Sequence, residues 1–251
     1  MDRSPVKTRR HLRPSSWYVG DGGPNLQRAN VYTPVHVTST LERYQRIAPF
    51  YDLLDLPFEH GRYRKIRPEL FANLSGMILD AGVGTGRNFP FYPRAAKVVG
   101  IDLSPAMLAR ATRRRVVAAA EIELHEMDVT CLAFPDRHFD AAVATFLFCV
   151  LPDALQVPAL KELGRVVKPS GCIRLLEYTR PHGAFRRVIT KIWEPWLHWA
   201  YGASFDRRTE ERLPESGLQL VDSRFVVDEL IKLISARPVG YGYNASSGLS
   251  Q

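Results

Sequence analysis

The stretch that decides the fold runs from Met77 to Asn88 and reads Met-Ile-Leu-Asp-Ala-Gly-Val-Gly-Thr-Gly-Arg-Asn. In it an apolar run ends in an acid, Asp80, and a glycine-rich turn follows. About one crossover later, the apolar run 98–101 ends in a second acid, Asp102. This order predicts a strand, a tight loop, a helix and a second parallel strand. Because parallel open sheets bind ligands at the carboxyl ends of their strands, the two carboxylates mark the expected site.

The spacing of the glycines narrows the class of ligand. Gly82, Gly84 and Gly86 alternate with other residues, and Arg87 stands where a dinucleotide site carries its third glycine. Glycine lets the backbone approach a ligand closely and adopt a positive φ. A carboxylate at the tip of the second strand can accept hydrogen bonds from both hydroxyls of a ribose. The pattern therefore favours a ribose-bearing ligand and argues against a dinucleotide.

The run 80–86 resembles motif I of the class I S-adenosylmethionine (SAM) methyltransferases, Asp/Glu-x-Gly-x-Gly-x-Gly. Three further segments resemble family motifs at the expected distances: 100–108 for the acidic second strand, 126–129 for the contact with adenine, and 163–172 for the turn before strand five. Ser170 replaces the usual first glycine of that turn. The resemblance is to the type 11, UbiE-like group and covers roughly residues 41–240. It implies an α/β, Rossmann-like fold with a mostly parallel seven-stranded sheet in the order 3-2-1-4-5-7-6 and helices on both faces.

The same resemblance implies SAM as the cofactor and S-adenosylhomocysteine as its product. The segment Ala48–Asp52 resembles an entry segment in which the tyrosine lies near the methionine part of SAM. The expected cofactor contacts are Tyr51, Asp80, Ala81, Gly82, Gly84, Gly86, Asn88, Asp102, Leu103, Met107, Asp128, Val129 and Thr145.

Hydrophobic periodicity predicts the elements around these motifs. Ser104 and Asp153 are expected helix caps, and the helix that contains Pro158 is expected to restart or kink there. Strands are expected over 77–80, 97–101, 121–126, 139–145 and 171–177, helices over 41–56, 61–74, 105–119, 153–167 and 207–216, and an antiparallel pair over 218–227 and 229–236.

Composition and charge predict the domain organisation. The net charge is +8, and residues 1–40 hold six basic and two acidic residues, so half of the excess lies in this stretch. We interpret residues 1–40 as a basic, disordered arm, 41–240 as one methyltransferase-like domain and 241–251 as a flexible tail. The three cysteines lack the spacing of a metal site, which favours reduced thiols in the cytoplasm and predicts no metal.

The predicted insertion 183–201 indicates whether a membrane surface is a partner of this protein. Three tryptophans, Trp193, Trp196 and Trp199, fall within it beside Arg186, Arg187 and Lys191. One interpretation is a helix that packs on the core, and the other is an apolar lid or interfacial helix at an anionic membrane. The longest apolar run, 141–151, is too short to span a bilayer and no secretion signal is present. We therefore expect a cytoplasmic protein with peripheral membrane contact. We do not expect a nucleic-acid partner, because the sequence contains no nucleic-acid recognition module.

The chain resembles two groups of methyltransferases that differ in the acceptor they methylate. Residues 58–62, 82–94 and 100–105 are similar to bacterial phosphatidylethanolamine N-methyltransferases. Residues 84–93, the Trp-rich insertion and the ending 237–243 resemble membrane-associated thiol S-methyltransferases. Both imply apolar acceptors at membranes, and we favour a lipid amine, with small thiols as the alternative.

Other acceptors are less well matched. No Asn-Pro-Pro-Tyr run is present, which argues against an amino group on a base or a glutamine. The Phe-Gly-x-Arg-Asn signature of the quinone C-methyltransferases is also missing, and 144–149 stand in its place. C- or O-methylation of a quinone-like molecule stays a second alternative. A binding scaffold without chemistry is disfavoured by the intact acids and glycines.

The candidate catalytic residues are His182, His60 and Tyr51. A histidine titrates near neutrality and can take the proton of the acceptor, although both positions also suit a surface histidine. Tyr51 and Tyr178 can position the acceptor, because aromatic faces hold an ammonium group.

Overall fold

The computed structural model describes residues 63–179 and 208–239. The predicted arm, the helix over 41–56, Tyr51, His60, His182, the Trp-rich insertion and the C-terminal tail lie outside these residues. For them the expectations above stay predictions.

The described residues build one mixed sheet with the strand order β3-β2-β1-β4-β5-β7-β6. Strands β1 to β5 pair in parallel, and β7 pairs antiparallel with both β5 and β6. The predicted order is therefore confirmed. The strands are β1 Met77–Ala81, β2 Lys97–Asp102, β3 Glu121–Glu126, β4 Phe139–Thr145, β5 Val167–Tyr178, β6 Leu218–Val227 and β7 Ile231–Pro238.

Helices cover both faces of this sheet, as predicted. Alternate residues of a strand point to opposite faces, so Ile78 joins one apolar cluster and Leu79 joins the other. Helices α1, Arg64–Phe71, and α2, Pro105–Arg114, contribute buried residues to the first cluster. Helix α3, Asp153–Val166, packs on the second. Because the central strands are buried on both faces, they read as continuous apolar runs.

Two helix predictions need correction. Helix α2 starts as expected, with the Ser104 Oγ accepting from the Met107 N–H at 3.4 Å, but it ends at Arg114 and a 3₁₀ turn follows. The expectation that the helix restarts at Pro158 is wrong, because α3 runs through it as one helix. Asp153 is the first residue of α3 and not its cap, and its carboxylate pairs with Arg212 at 3.2 Å.

The segment after the insertion also differs from expectation. In place of one helix over 207–216 the chain forms two 3₁₀ turns, Thr209–Arg212 and Pro214–Ser216. Pro214 has no N–H to donate within a continuing helix, and Gly217, with φ +71°, turns the chain into β6. Strand β5 begins earlier than predicted because Val167 pairs with Phe139 before the ladder resumes at Cys172.

Candidate cofactor and acceptor site

The carboxyl ends of β1, β2 and β4 meet at one edge of the sheet. Ala81, the last residue of β1, lies opposite Ile101 on β2 and Ala144 on β4. The glycine loop then folds back over β2, because the N–H groups of Gly82 and Val83 both donate to the Ile101 carbonyl at 2.9 Å. The predicted loop and both predicted acids are therefore brought to the same edge, at the point where the strand order reverses.

The carboxylate of Asp102 is held in a defined orientation at this edge. Its Oδ2 accepts from the Gly84 N–H at 2.9 Å and its Oδ1 accepts from the Ser104 N–H at 2.9 Å. Since a carboxylate oxygen can accept two hydrogen bonds, each oxygen keeps capacity for one ribose hydroxyl. Burial raises the pKa of Asp102 to about 6, and the two backbone donors oppose that shift.

Gly84 leaves an open space above the loop. A Cβ at this position would meet no atom nearer than the Gly82 carbonyl oxygen at 4.0 Å, although the backbone φ of +55° strains any other residue. At Gly86 the reason for glycine differs, because a Cβ there would lie 2.6 Å from the Phe89 ring. We expect the bound cofactor to lie in the space that a side chain at Gly84 would fill.

Asp80 is fully buried and only half of its carboxylate is paired. Its Oδ2 accepts from the Tyr92 hydroxyl at 2.5 Å and from the Asn88 amide at 2.9 Å. Its Oδ1 has no hydrogen-bond partner among the described residues. Burial raises the pKa of Asp80 to about 6, against the two hydrogen bonds and the positive charge of Arg67. A buried carboxylate oxygen without a partner fits a cationic donor such as the ammonium group of SAM.

Asn88 was expected to contact the cofactor, but its amide is engaged within the protein. The Nδ2 donates to Asp80 and, at 3.1 Å, to the Thr145 Oγ1, while the Oδ1 accepts from the Arg67 Nη1 at 2.5 Å. We infer that Asn88 positions Asp80 and Thr145. Sequence reasoning gave no site role to Arg67, which lies outside the motifs, or to Tyr92, although it lies in the segment 82–94. Each meets its partner only in the folded chain.

The remaining expected contacts lie around the same edge. The Met127 N–H donates to the Asp102 carbonyl at 3.1 Å, which brings the segment of Asp128 beside the end of β2. One oxygen of Asp128 accepts from the N–H and the hydroxyl of Thr130, both at 2.8 Å. Met107 and Val129 are buried, whereas Leu103 is half-buried. A contact between these residues and the cofactor stays a prediction.

Three aromatic rings lie together at the ends of β4 and β5, and we call Tyr63, Phe146 and Tyr178 the aromatic cluster. The Phe146 ring stacks on Tyr178 with centroids 4.7 Å apart and lies 5.0 Å from Tyr63. The two tyrosine hydroxyls are hydrogen-bonded to each other. Sequence reasoning identified Tyr178 but missed the other two, because the three positions are far apart in the chain.

Two further features of the described residues concern metals and membranes. No group of three histidine, cysteine or acidic side chains in 63–179 and 208–239 is arranged to hold a metal ion. Within the same residues no helix is long and apolar enough to cross a bilayer.

Similarity to known proteins identifies the family. A family model described as a methyltransferase domain matches residues 78–171. Over 142 residues the chain is 34% identical to a phosphatidylethanolamine N-methyltransferase of Cereibacter sphaeroides, an alignment that covers 54% of this chain and 68% of that protein. Over 153 residues it is 38% identical to a demethylmenaquinone methyltransferase of Thermus thermophilus, with 58% and 69% covered. The chain belongs to the class I SAM-dependent methyltransferases.

Two more distant similarities agree with that family. The human thiol S-methyltransferase TMT1B is 27% identical over 201 residues, which cover 70% of this chain and 78% of the human protein. The solved complex of DhpI with SAH has the same fold, with a TM-score of 0.63, 19% identity and coverage of 82% of this chain and 98% of the other. This methyltransferase therefore uses SAM and releases S-adenosylhomocysteine, and its relatives differ in the acceptor that they methylate.

Proposed function

We propose that this methyltransferase transfers the methyl group of SAM to the amine of a phospholipid, of the phosphatidylethanolamine type, at a membrane surface. The observation that carries the proposal is the aromatic cluster at the ends of β4 and β5. Aromatic ring faces attract ammonium groups, and each methylated lipid amine is an ammonium ion at neutral pH. The similarity to a bacterial phosphatidylethanolamine N-methyltransferase supports the same acceptor.

The proposed reaction is an in-line displacement. When bound, SAM supplies a methyl group on a sulfonium, and the lipid amine attacks that carbon as the carbon–sulfur bond breaks and its electron pair stays on sulfur. The lipid ammonium must first lose a proton, for which His182 and His60 are the proposed acceptors. Asp80 and Asp102 are proposed to hold the two polar ends of the cofactor, and the aromatic cluster to orient the amine.

Charge and sequence pattern support a membrane surface as the place of this reaction. The chain carries a net charge of +8, and the insertion 183–201 combines three tryptophans with basic residues. Such a segment buries its apolar face at the lipid boundary, while basic residues are attracted to anionic headgroups. We propose that this insertion meets the membrane and delivers the lipid headgroup to the aromatic cluster.

Two other acceptors are the alternatives. A small thiol is favoured by the similarity to the human thiol S-methyltransferase. A quinone is favoured by the demethylmenaquinone methyltransferases among the relatives. Against the quinone, the turn after β4 carries Phe146-Leu147-Phe148-Cys149 and not the polar run typical of those enzymes.

The test offers all three acceptors to the same enzyme. Purified protein is incubated with SAM labelled in its methyl group and with phosphatidylethanolamine vesicles, a small alkyl thiol or demethylmenaquinone. We expect label in the lipid fraction, as mono-, di- or trimethylated phosphatidylethanolamine. Label in the thiol or quinone alone would show that the lipid proposal is wrong.

The membrane part has its own test. The protein should sediment with anionic vesicles and less well at high salt, because salt screens charges within about 8 Å at physiological ionic strength. Replacing Trp196 and Trp199 with alanine should lower turnover on vesicles more than turnover on monomeric short-chain phosphatidylethanolamine. Equal losses on both substrates would instead indicate a lid over the active site.

A further inference from the structure

We propose that Glu177, with help from Gln156, is a positioning residue that shapes the turn 146–149 and so presents Phe146 to the methyl acceptor. This inference rests on the proposed function in one respect, since it takes the aromatic cluster as the acceptor side of the site. It adds two buried residues that no motif of the sequence indicated, and they are proposed to act through the turn and not through contact with the acceptor.

The contacts of Glu177 explain the shape of the turn. This residue is 2% exposed near the end of β5, and its Oε1 accepts from the Phe148 N–H at 3.0 Å while its Oε2 accepts from the Cys149 N–H at 2.9 Å. From the opposite side, the Gln156 Nε2 on α3 donates to the Phe148 carbonyl at 3.1 Å. The turn is therefore held by a strand and by a helix at once.

Phe146 needs such support because its backbone is strained. Its φ is +55°, a left-handed conformation that non-glycine residues rarely adopt unless the surroundings enforce it. The Cys149 thiol donates to the Phe146 carbonyl at 3.2 Å, and the Phe146 N–H donates to the Leu176 carbonyl at 2.8 Å. Strain that is maintained by a buried network indicates that the position of the Phe146 ring matters to function.

The choice of a carboxylate at this buried position also needs an explanation. Burial raises the pKa of Glu177 to about 7, against the backbone donors that favour its ionised form. An apolar residue would avoid this desolvation but would leave the N–H groups of Phe148 and Cys149 without their acceptor. The next residue is Tyr178, which stacks on Phe146, so one strand end orients both rings.

The test compares Glu177→Gln with a matched control, Glu162→Gln. Glu162 is also a carboxylate that accepts a backbone N–H, from Leu132 at 2.8 Å, but it is 13% exposed and pairs with Arg165, not with the turn 146–149. We expect Glu177→Gln to raise the KM for phosphatidylethanolamine roughly twofold to fivefold, the range of a lost cation–π contact, with kcat and the Kd of SAM unchanged. Glu162→Gln should change none of the three, although it lowers stability.

Cysteine alkylation gives a readout that requires no acceptor. Cys149 is buried in the turn, whereas Cys131 is exposed and serves as an internal reference. With maleimide and mass spectrometry, alkylation of Cys149 should be at least tenfold faster in Glu177→Gln, relative to Cys131. If that variant does not fold, Gln156→Leu, which removes one hydrogen bond to the turn, should show the same changes at smaller size.

The outcomes separate this proposal from the proposed function. If the wild type methylates only a thiol or a quinone, the lipid proposal fails, and the KM of that other acceptor becomes the readout for Glu177. Unchanged Cys149 reactivity in folded Glu177→Gln, or a SAM affinity that falls as much as acceptor affinity, would overturn the positioning role.

Discussion

The cofactor half and the acceptor half of the site are built in opposite ways. The cofactor half uses backbone groups and carboxylates close in sequence, as in the bond between Gly84 and Asp102, which lie 18 residues apart. The acceptor half uses aromatic side chains from distant segments, as in the pair of Tyr63 and Tyr178, which lie 115 residues apart. Under the proposed function, the difference teaches that the nucleoside is bound by a local loop, whereas the acceptor is bound by an assembly that exists only in the folded chain.

The largest effect is expected for Gly84→Val. A β-branched side chain at φ +55° would be strained and would also fill the open space above the loop, so SAM binding should be lost. Isothermal titration calorimetry measures the loss, and circular dichroism should show an unchanged fold. Gly217→Val is the matched control, because Gly217 has φ +71° and open space but lies away from the site. Equal loss of SAM binding in both variants would show that strain, and not the cofactor space, is responsible.

Asp102→Ala should have the next largest effect. It removes an ionised acceptor from both ribose hydroxyls, which is worth about 1.5–3 kcal/mol and lowers SAM affinity at least tenfold. Asp140→Ala is a suitable control, since Asp140 also accepts a backbone N–H, from Met77 at 2.8 Å, but at the amino end of β1. Titration of SAM into both variants measures the two affinities. Unchanged affinity in Asp102→Ala would contradict the assignment of this carboxylate to the ribose.

The pH dependence of SAM binding should follow the raised pKa of Asp102. Its carboxyl titrates near pH 6, and the ionised form accepts from the ribose, so affinity should fall by about tenfold between pH 7.5 and pH 5. The free energy of unfolding of the protein without cofactor should instead fall as the pH rises. A raised pKa means that the folded state binds the proton more tightly, so this contribution is present at low pH and is lost as pH rises through about 6.

Asp102→Asn distinguishes this explanation from a general effect of acid. The asparagine does not titrate, so its weaker SAM binding should depend less on pH than that of the wild type. Asp80 also titrates near pH 6 and should leave a residual slope. Identical pH profiles for wild type and variant would exclude Asp102 as the titrating group.

The smallest effect is expected in the acceptor half. Tyr178→Leu removes one ring of the aromatic cluster, and a cation–π contact at a partly exposed site is worth about 0.5–1 kcal/mol. The KM for phosphatidylethanolamine should therefore rise roughly twofold to fivefold. The Kd of SAM should not change, because Tyr178 is not among the residues expected to contact the cofactor. An equal effect on both ligands would mean that the two halves are not independent.

Local patterns in the sequence predicted the sheet and the cofactor loop well. Asp80 and glycines 82, 84 and 86 form one continuous motif, Asp102 ends the next strand, and the apolar runs mark strands whose ends were placed within a few residues. The errors arose where tertiary packing overrides local preference. Pro158 lies inside α3 because burial of its neighbours Leu155, Leu160 and Leu163 outweighs one lost hydrogen bond.

The sequence by itself determined the family, the cofactor and the edge of the sheet where both acids lie, since these depend on residue types at short spacings. Only the tertiary structure decided that Asn88 supports Asp80, that Arg67 and Tyr92 join them, and that Tyr63, Phe146 and Tyr178 form one cluster. The physical reason is that these contacts join segments far apart in the chain. Their partners become neighbours only when the strands pair and the helices pack, so no short spacing in the sequence predicts these contacts.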